Sequence, residues 1–547
     1  MDFKETLLGK LKKYKDVIIY GYMDIGTCVL DYIIDLETNI KIANYSGKVR
    51  YFAYSSPEET TSNRHDKKGI AIKSIHQLTA YADKALVIIA TQEQYHKEIT
   101  ETLDELHFKN RLYVTHEAYC LLRETAENPK GIMDNRIMQY HTNHRMKLDL
   151  LRAKVQTGKK VKVFFMVHDA AVFGCDSIYQ AMEKDVLFEP YVFVVSRRDV
   201  GYKFFYEDVL KDVRFFEEKG YRTVNAYDEQ QNPKDLHVLN PDIIFYDLPK
   251  MHDPAGNYYF RLDHINWEFL TCYVPYGLLM VDSFYYHYHT TCIRETWKYF
   301  MDTPASFKRI SADGEFNGFN TVLSGYPKFD DYYADMKRED LPSKLQNDRR
   351  TIIYAPHHSL GVSNNFATFD LYKDVFMDLL HKHPNINFVF KPHPLLPFQI
   401  MTRYKNKKSA FSYEDYLDYM SQWDSMPNGL CLTQGDYIKV FRCSDCMITD
   451  CGSFIGEYLP SLNPCIYLFN PRKERQEDAY TPLAKEILDT YYVCKTLDEM
   501  EYYVENVAIN GNDEKRETRE ALFHKEFANI GNAGAFICGY LKSQLIL

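Results

Sequence analysis

A chain of 547 residues is more than one hydrophobic core normally serves, and its length predicts three domains. Hydrophobic residues make up 45% and charged residues 26%, the balance of a globular protein, and no apolar run approaches the ~18 residues of a membrane span. The net charge of −10, from 66 basic and 76 acidic side chains, argues against non-specific nucleic-acid binding by the chain as a whole.

Residues 1–125 read as a unit of their own. The opening Met1-Asp2-Phe3-Lys4-Glu5 looks like an amphipathic helix start, not a secretory leader. A cytoplasmic location follows, with the scattered cysteines, many in apolar runs (Cys272, Cys431, Cys465), as free thiols. Val17–Gly21 is a strand entering a glycine turn, Gly26 follows, and a helix runs through Val29, Tyr32 and Ile33. A later strand covers Leu86–Thr91. This is a Rossmann-like βαβ pattern, but Gly21-x4-Gly26 lacks the middle glycine and the ribose-binding acid of the dinucleotide fingerprint. Nucleotide binding and a docking role both remain open for it.

Residues 126–158 are polar and helix-prone, a linker. The second domain, 159–333, opens on the buried strand Lys160–His168 and continues with a helix over Gly174–Met182. Further strands are expected at Tyr191–Val195, Asp242–Asp247, Cys272–Pro275 and Phe307–Ser311. Residues 334–350 are charged, a hinge. The third domain, 351–547, repeats the alternation with strands at Thr351–Ala355, Asn387–Lys391, Leu430–Leu432, Met447–Thr449, Cys465–Phe469 and Tyr492–Lys495, and ends in a helix. Strand–helix alternation at this spacing means parallel sheets, an α/β chain. Two such domains facing across a cleft are the GT-B plan, with the substrate sites in the cleft and the small Rossmann-like domain as an addition in front.

Two stretches of the third domain place polar residues at the end of a buried strand, where open α/β sheets bind ligands. One is Lys391-Pro392-His393-Pro394 after Phe388–Phe390; the other is Thr449-Asp450-Cys451-Gly452-Ser453 after Met447–Ile448. Ser453 would start a helix, favourable for phosphate, with Glu457 one turn along to accept from ribose hydroxyls. The plainer alternative is an N-cap and a surface acid. Cys443-x-x-Cys446 has no second knuckle, and no metal site is expected.

These stretches resemble the two signature motifs of the CDP-glycerol glycerophosphotransferase family, which includes teichoic acid primases and polymerases of GT-B fold. Tyr354-Ala355-Pro356 resembles its first donor-domain motif, and Gly325-Tyr326-Pro327-Lys328 its pre-linker motif. The resemblance covers roughly residues 160–547. It implies a donor site of Pro356, His357, His358, Thr449, Asp450, Gly452, Ser453 and Glu457, with His393 and Lys391 acting on the leaving group. The family's Trp-His-Gly-Thr-Pro motif, carrying a catalytic histidine, is absent; Tyr273-Val274-Pro275-Tyr276-Gly277 stands in its place. The family's Arg after Tyr-Ala-Pro is also absent, and His357-His358-Ser359 follow instead.

Transfer from a nucleotide diphosphate needs stabilised charge on the leaving group and a base for the acceptor hydroxyl. For the base, His168 beside Asp169 at the end of the first strand of the second domain ranks first, ahead of His287 and His289 and of His357 and His358. Asp176, Ser177, Tyr276 and His287 are the candidate acceptor contacts. The expectation is a cofactor-free transferase taking a nucleotide-diphosphate donor, CDP-linked by preference. Its acceptor would be a cell-surface polysaccharide or lipid-linked polymer of teichoic acid or capsule type, met from the cytoplasm or the inner membrane face. The basic loop Lys405, Lys407 and Lys408 is a solvated loop or a contact with anionic polymer or headgroups. The alternatives are a nucleotide-sugar glycosyltransferase and a non-catalytic nucleotide- or glycan-binding partner.

Overall fold

The structure, a computed structural model, describes residues 3–21, 25–30, 32–33, 46–55, 70–115, 117–119, 122, 132–168, 170, 173–195, 206–247, 260, 262–282, 285, 288, 291–312, 318–360, 366–406, 408–433 and 437–546. Residues 1–138 cluster as one compact unit, and 139–361 with 365–547 as a second. Among the described residues no helix is long and apolar enough to cross a membrane.

The first unit carries β1 (Val17–Tyr20), β2 (Val49–Tyr54), β3 (Ile72–Ser74), β4 (Leu86–Ile89) and β5 (Arg111–Tyr113) in a parallel sheet ordered β3-β2-β1-β4-β5. Every residue of β1 and β4 is buried, as the apolar runs require of a sheet covered on both faces. The two glycines after β1 have a packing cause. Gly21 has φ +108°, and a Cβ there would lie 2.3 Å from the Ala90 carbonyl oxygen; one on Gly26 would lie 1.8 Å from the Gly21 carbonyl oxygen. Close packing of turn against strand and helix against turn therefore accounts for the Gly21–Gly26 spacing without a ligand.

The second unit holds two further parallel sheets. One comprises β6 (Val161–Val167), β7 (Phe188–Val194), β8 (Thr223–Asn225), β9 (Ile243–Tyr246), β10 (Leu270–Tyr273), β11 (Lys298–Met301) and β12 (Thr321–Leu323), ordered β12-β11-β10-β9-β6-β7-β8. The other comprises β13 (Thr351–Ala355), β14 (Asn387–Phe390), β15 (Gly429–Cys431), β16 (Cys446–Thr449), β17 (Cys465–Leu468) and β18 (Tyr492–Cys494), ordered β15-β14-β13-β16-β17-β18. In each the strand order reverses beside the first strand, between β6 and β9 and between β13 and β16. Crevices for ligands open at such reversals.

Two segments differ from the sequence expectation, and a third, the helix-prone linker, shows where it docks. Phe307–Ser311 belongs to a helix, Pro304–Ser311, and the strand is β11 just before it. The cap explains this: the Thr303 hydroxyl accepts from the Ser306 N–H, and Pro304 occupies the first turn, where its missing N–H costs nothing. The linker stretch contains a helix, Ile132–Gln156, whose later part is fastened to the second domain by Asn143 to the Trp267 carbonyl, Lys147 to the Glu268 carbonyl and Lys154 to Asp242. The last helix, Ala533–Leu545, joins the core of the second domain instead of the third sheet, packing beside the helix Asp176–Lys184 through Ile537, Leu541 and Leu545. Asp330 caps its start by accepting from the Ala533 and Gly534 N–H groups at 2.9 and 2.7 Å.

Segments on either side of the hinge tie the two sheets of the second unit together. Val281 and Tyr480 form an antiparallel bridge, and Thr481 donates its N–H to the Met280 carbonyl. The Tyr332 hydroxyl donates to the Glu457 carbonyl at 2.7 Å.

Candidate functional site

On the third sheet, β13, β14 and β16 deliver Pro356-His357-His358, Lys391-Pro392-His393 and Asp450 to one crevice. Backbone bonds extend past the strand ends: the Lys391 N–H donates to the Tyr354 carbonyl at 2.8 Å and the His393 N–H to the Pro356 carbonyl at 3.1 Å. This brings three imidazoles into one cluster. Ring centroids lie 4.2 Å apart for His357 and His358, 4.1 Å for His358 and His393, and 5.2 Å for His357 and His393.

One nitrogen from each ring lies within 4.8 Å of the others, a spacing that a metal ion could bridge. The hydrogen bonds favour another use. The Ser359 N–H donates to His357 Nδ1 at 3.3 Å and the Leu395 N–H to His393 Nδ1 at 3.1 Å. In a neutral ring whose Nδ1 accepts, Nε2 carries the proton and has no lone pair for a metal. Burial, and then the neighbouring His358, push His357 well below the usual histidine range, which keeps it neutral. His357 and His393 thus present N–H donors, suited to anionic oxygens.

A charged group lies beside them. Glu457 is buried; the Tyr437 hydroxyl donates to its Oε2 at 2.6 Å, and Lys328 Nζ stands 3.6 Å from the same oxygen. Lys328 and Lys391 place their ammonium groups 5.0 and 5.1 Å from the Tyr437 ring centroid. Both lysines are buried, and burial lowers the Lys391 pKa. Among these described side chains two cations face one carboxylate, a positive surplus held out of water, where an unbalanced charge is costly until an anion arrives.

The other predicted donor residues serve the architecture. Thr449 Oγ1 donates to the Ala355 carbonyl at 2.6 Å, closing β16 on β13. The buried Asp450 carboxylate accepts from the His357 N–H, the Thr368 N–H and the Thr368 hydroxyl, so it shapes the histidine loop. Burial raises its carboxyl to about 6 against the pull of those bonds. The helix Gly452–Glu457 has six residues and a buried face. A Cβ on Gly452 would lie 2.8 Å from Val281 Cγ2, and one on Gly456 would lie 2.6 Å from Leu278 Cδ1. These glycines admit the Leu278–Val281 segment of the neighbouring domain. Ser453 Oγ lies 3.2 Å from Cys451 Sγ.

On the second sheet, His168 follows β6, Asp247 follows β9, and Tyr276 follows β10. His168 Nδ1 lies 3.7 Å from Asp247 Oδ1, with the two side chains 7% and 4% exposed. The Tyr276 N–H donates to the Asp247 carbonyl at 3.1 Å. Among the described residues, the acid facing His168 across the strand reversal is Asp247; Asp169 and His287 lie outside the described residues. Asp176 and Ser177 are engaged by the fold. The Tyr221 hydroxyl donates to Asp176, and Ser177 Oγ donates to the Pro327 carbonyl at 3.1 Å. Of the basic loop, Lys405 ends a helix and Lys407 lies outside the described residues. Lys328, Tyr437 and Asp247 carry weight that the sequence reading did not give them. Lys328 stood in a recognised motif, and Asp247 at the end of an apolar run.

Residues 293–534 match the family model of CDP-Glycerol:Poly(glycerophosphate) glycerophosphotransferase. This stretch is a CDP-glycerol glycerophosphotransferase domain. It contains Lys328, the three histidines, Lys391, Asp450 and Glu457, that is, the whole third-sheet crevice. His168, Asp247 and Tyr276 precede it. No curated protein is a significant match. Among solved structures, the wall teichoic acid polymerase TagF is 12% identical, covering 76% of this chain and 98% of its own, with a TM-score of 0.45. MnaA of S. aureus, solved with UDP, is 13% identical over 70% of this chain and 97% of its own, with a TM-score of 0.45. The UDP-GlcNAc 2-epimerase of Neisseria meningitidis, solved with UDP-GlcNAc, is 11% identical over 70% and 100%, with a TM-score of 0.40. The glycerophosphotransferase domain, with its second-sheet partner, gives the chain the paired parallel sheets expected of a GT-B transferase.

Proposed function

We propose that the chain moves glycerophosphate from CDP-glycerol onto a hydroxyl of a teichoic-acid-type polymer. The observation that carries this is the buried surplus of positive charge, Lys391 and Lys328 against Glu457, beside imidazole N–H donors within the family-matched stretch. The donor's diphosphate lies in that crevice. His393 and His357 donate through Nε2 to its oxygens, and Lys391 balances its charge. The acceptor hydroxyl attacks the phosphorus that bears glycerol, the bond from that phosphorus to the bridging oxygen breaks, and CMP leaves with the electron pair. The leaving group is thus CMP, and its developing charge falls on the histidine and lysine side of the crevice. His168 takes the acceptor's proton.

Thermal unfolding with CDP-glycerol, CDP, UDP and GDP tests the donor site. A specific ligand at 100 times its Kd adds about 2.7 kcal/mol of stability. CDP-glycerol and CDP are expected to stabilise, and stabilisation by UDP alone would point to a sugar nucleotide instead. No response to any nucleotide would remove the donor site.

A further inference from the structure

We propose that Asp247 is the positioning residue that makes His168 the base, an aspartate–histidine pair built across the strand reversal of the second sheet. The proposal rests on the glycerophosphotransferase reading. The place is right for chemistry, since the strand order reverses between β6 and β9 and the ends of both strands border the crevice that such a reversal opens. The geometry is directional. Nδ1 of His168 faces the carboxylate at 3.7 Å, so Nε2 lies on the opposite edge of the ring. A proton on Nδ1 pointed at Asp247 leaves the Nε2 lone pair for an acceptor hydroxyl. A separation of 3.7 Å is that of an ion pair, and it closes to a hydrogen bond as the ring becomes charged.

Both side chains are more than nine-tenths buried, so the ring's orientation is set by packing and the carboxylate acts through a low dielectric. Tyr276 fixes the Asp247 backbone, and Cys175 is close enough that the carboxylate helps raise its already burial-raised pKa. In the step itself, the acceptor O–H bond breaks and its proton passes to Nε2. The oxygen forms a bond to the glycerol-bearing phosphorus while CMP departs. The imidazolium that results sits against the Asp247 carboxylate. The histidine that the glycerophosphotransferase resemblance predicts near Tyr273–Gly277 is replaced from another strand.

The test compares Asp247→Asn with the native chain over pH 5–9, following CMP release from CDP-glycerol in the presence of acceptor. The expected result is a loss in kcat on the order of 10²-fold or more, with CDP-glycerol affinity within about twofold. The acid limb should move to lower pH by a unit or more, because a carboxylate at this distance raises its partner's pKa. Asp247→Glu should recover part of the rate. An unchanged acid limb, or full rate in Asp247→Asn, overturns the pair while leaving the donor reading intact. Failure of the native chain to release CMP overturns the reading on which it rests. A second measurement needs no folded Asp247 variant: nitrogen NMR of the native protein, with His168 assigned by loss of its signal in His168→Gln. An Nδ1–H tautomer is expected, and an Nε2–H tautomer overturns the proposal.

Discussion

Replacing Lys391 by Met should stabilise the empty protein and cripple donor binding, two effects of opposite sign from one change. Lys391 is 7% exposed, and among the described residues the charges near it are a second ammonium, Lys328, and the Glu457 carboxylate. Methionine keeps the side chain's length and apolar contacts. It removes the surplus cation and leaves Lys328 and Glu457 balanced. Swapping buried ionic groups for apolar ones of similar volume is commonly neutral or stabilising by about 1–4 kcal/mol, and the lower half of that range is expected here. Binding loses a charge-assisted contact to the diphosphate, about 1.5–3 kcal/mol, or a 10- to 150-fold rise in Kd for CDP-glycerol. The pH dependence has a sign as well. Burial holds the folded-state pKa of Lys391 below its unfolded value, so the unfolded chain binds the extra proton. The native protein should therefore gain stability relative to Lys391→Met as pH rises through the folded pKa of Lys391 towards 10.5, and lose donor affinity over the same range. Urea unfolding and isothermal titration with CDP-glycerol read the two effects separately. Destabilisation by Met together with unaltered affinity would refute the reasoning, because Lys391 would then be a structural cation.

His393→Ala should lower the rate of CMP release by on the order of 10²–10³, and His393→Gln, which can keep an N–H donor, should lose less; equal losses would show that donation is not its role. Asp450 sits near 6 in the folded protein against 3.8, so the folded state holds a proton between about pH 4 and 6 that the unfolded chain has released. Stability should fall by about 3 kcal/mol as pH rises through that window, and Asp450→Asn should remove this slope in urea titrations at pH 4.5 and 7. Gly456→Ala should cost about 1–3 kcal/mol of stability, since its Cβ would press on Leu278 and Met280, and unfolding midpoints measure this. Deleting residues 1–125 should leave CDP-glycerol affinity within about threefold, a change of less than 1 kcal/mol, because the donor crevice lies wholly in the second unit. Loss of affinity in a folded truncation would contradict that.

The strands that were legible in the sequence are those whose runs are buried on both faces, such as β6, β9, β13, β14 and β16. Short or partly exposed strands, β8 and β12 among them, carry too few apolar residues to stand out. Phe307–Ser311 is too short for its two apolar residues to distinguish strand from helix, and the decisive signal is the Thr303-Pro304 cap upstream. The histidine cluster was legible in part. His393 and the His357–His358 pair each sat at a strand end, but only the β13–β14 pairing brings their rings within 4.1–5.2 Å. The close approach of Val281 to Gly452, from the neighbouring domain, is a contact no local pattern encodes. The nearness of Asp247 to His168 is likewise illegible in the sequence, since the two lie 79 residues apart, whereas adjacency points to Asp169.

The central claim is that this chain breaks the diphosphate of CDP-glycerol and joins glycerophosphate to an acceptor hydroxyl. Phosphorus NMR of the purified protein with CDP-glycerol and a glycerophosphate-primed acceptor tests it directly. The account predicts CMP and a new phosphodiester appearing together in equal amounts, dependent on the acceptor. Release of CDP, or no consumption of CDP-glycerol by folded protein that binds it, would contradict it.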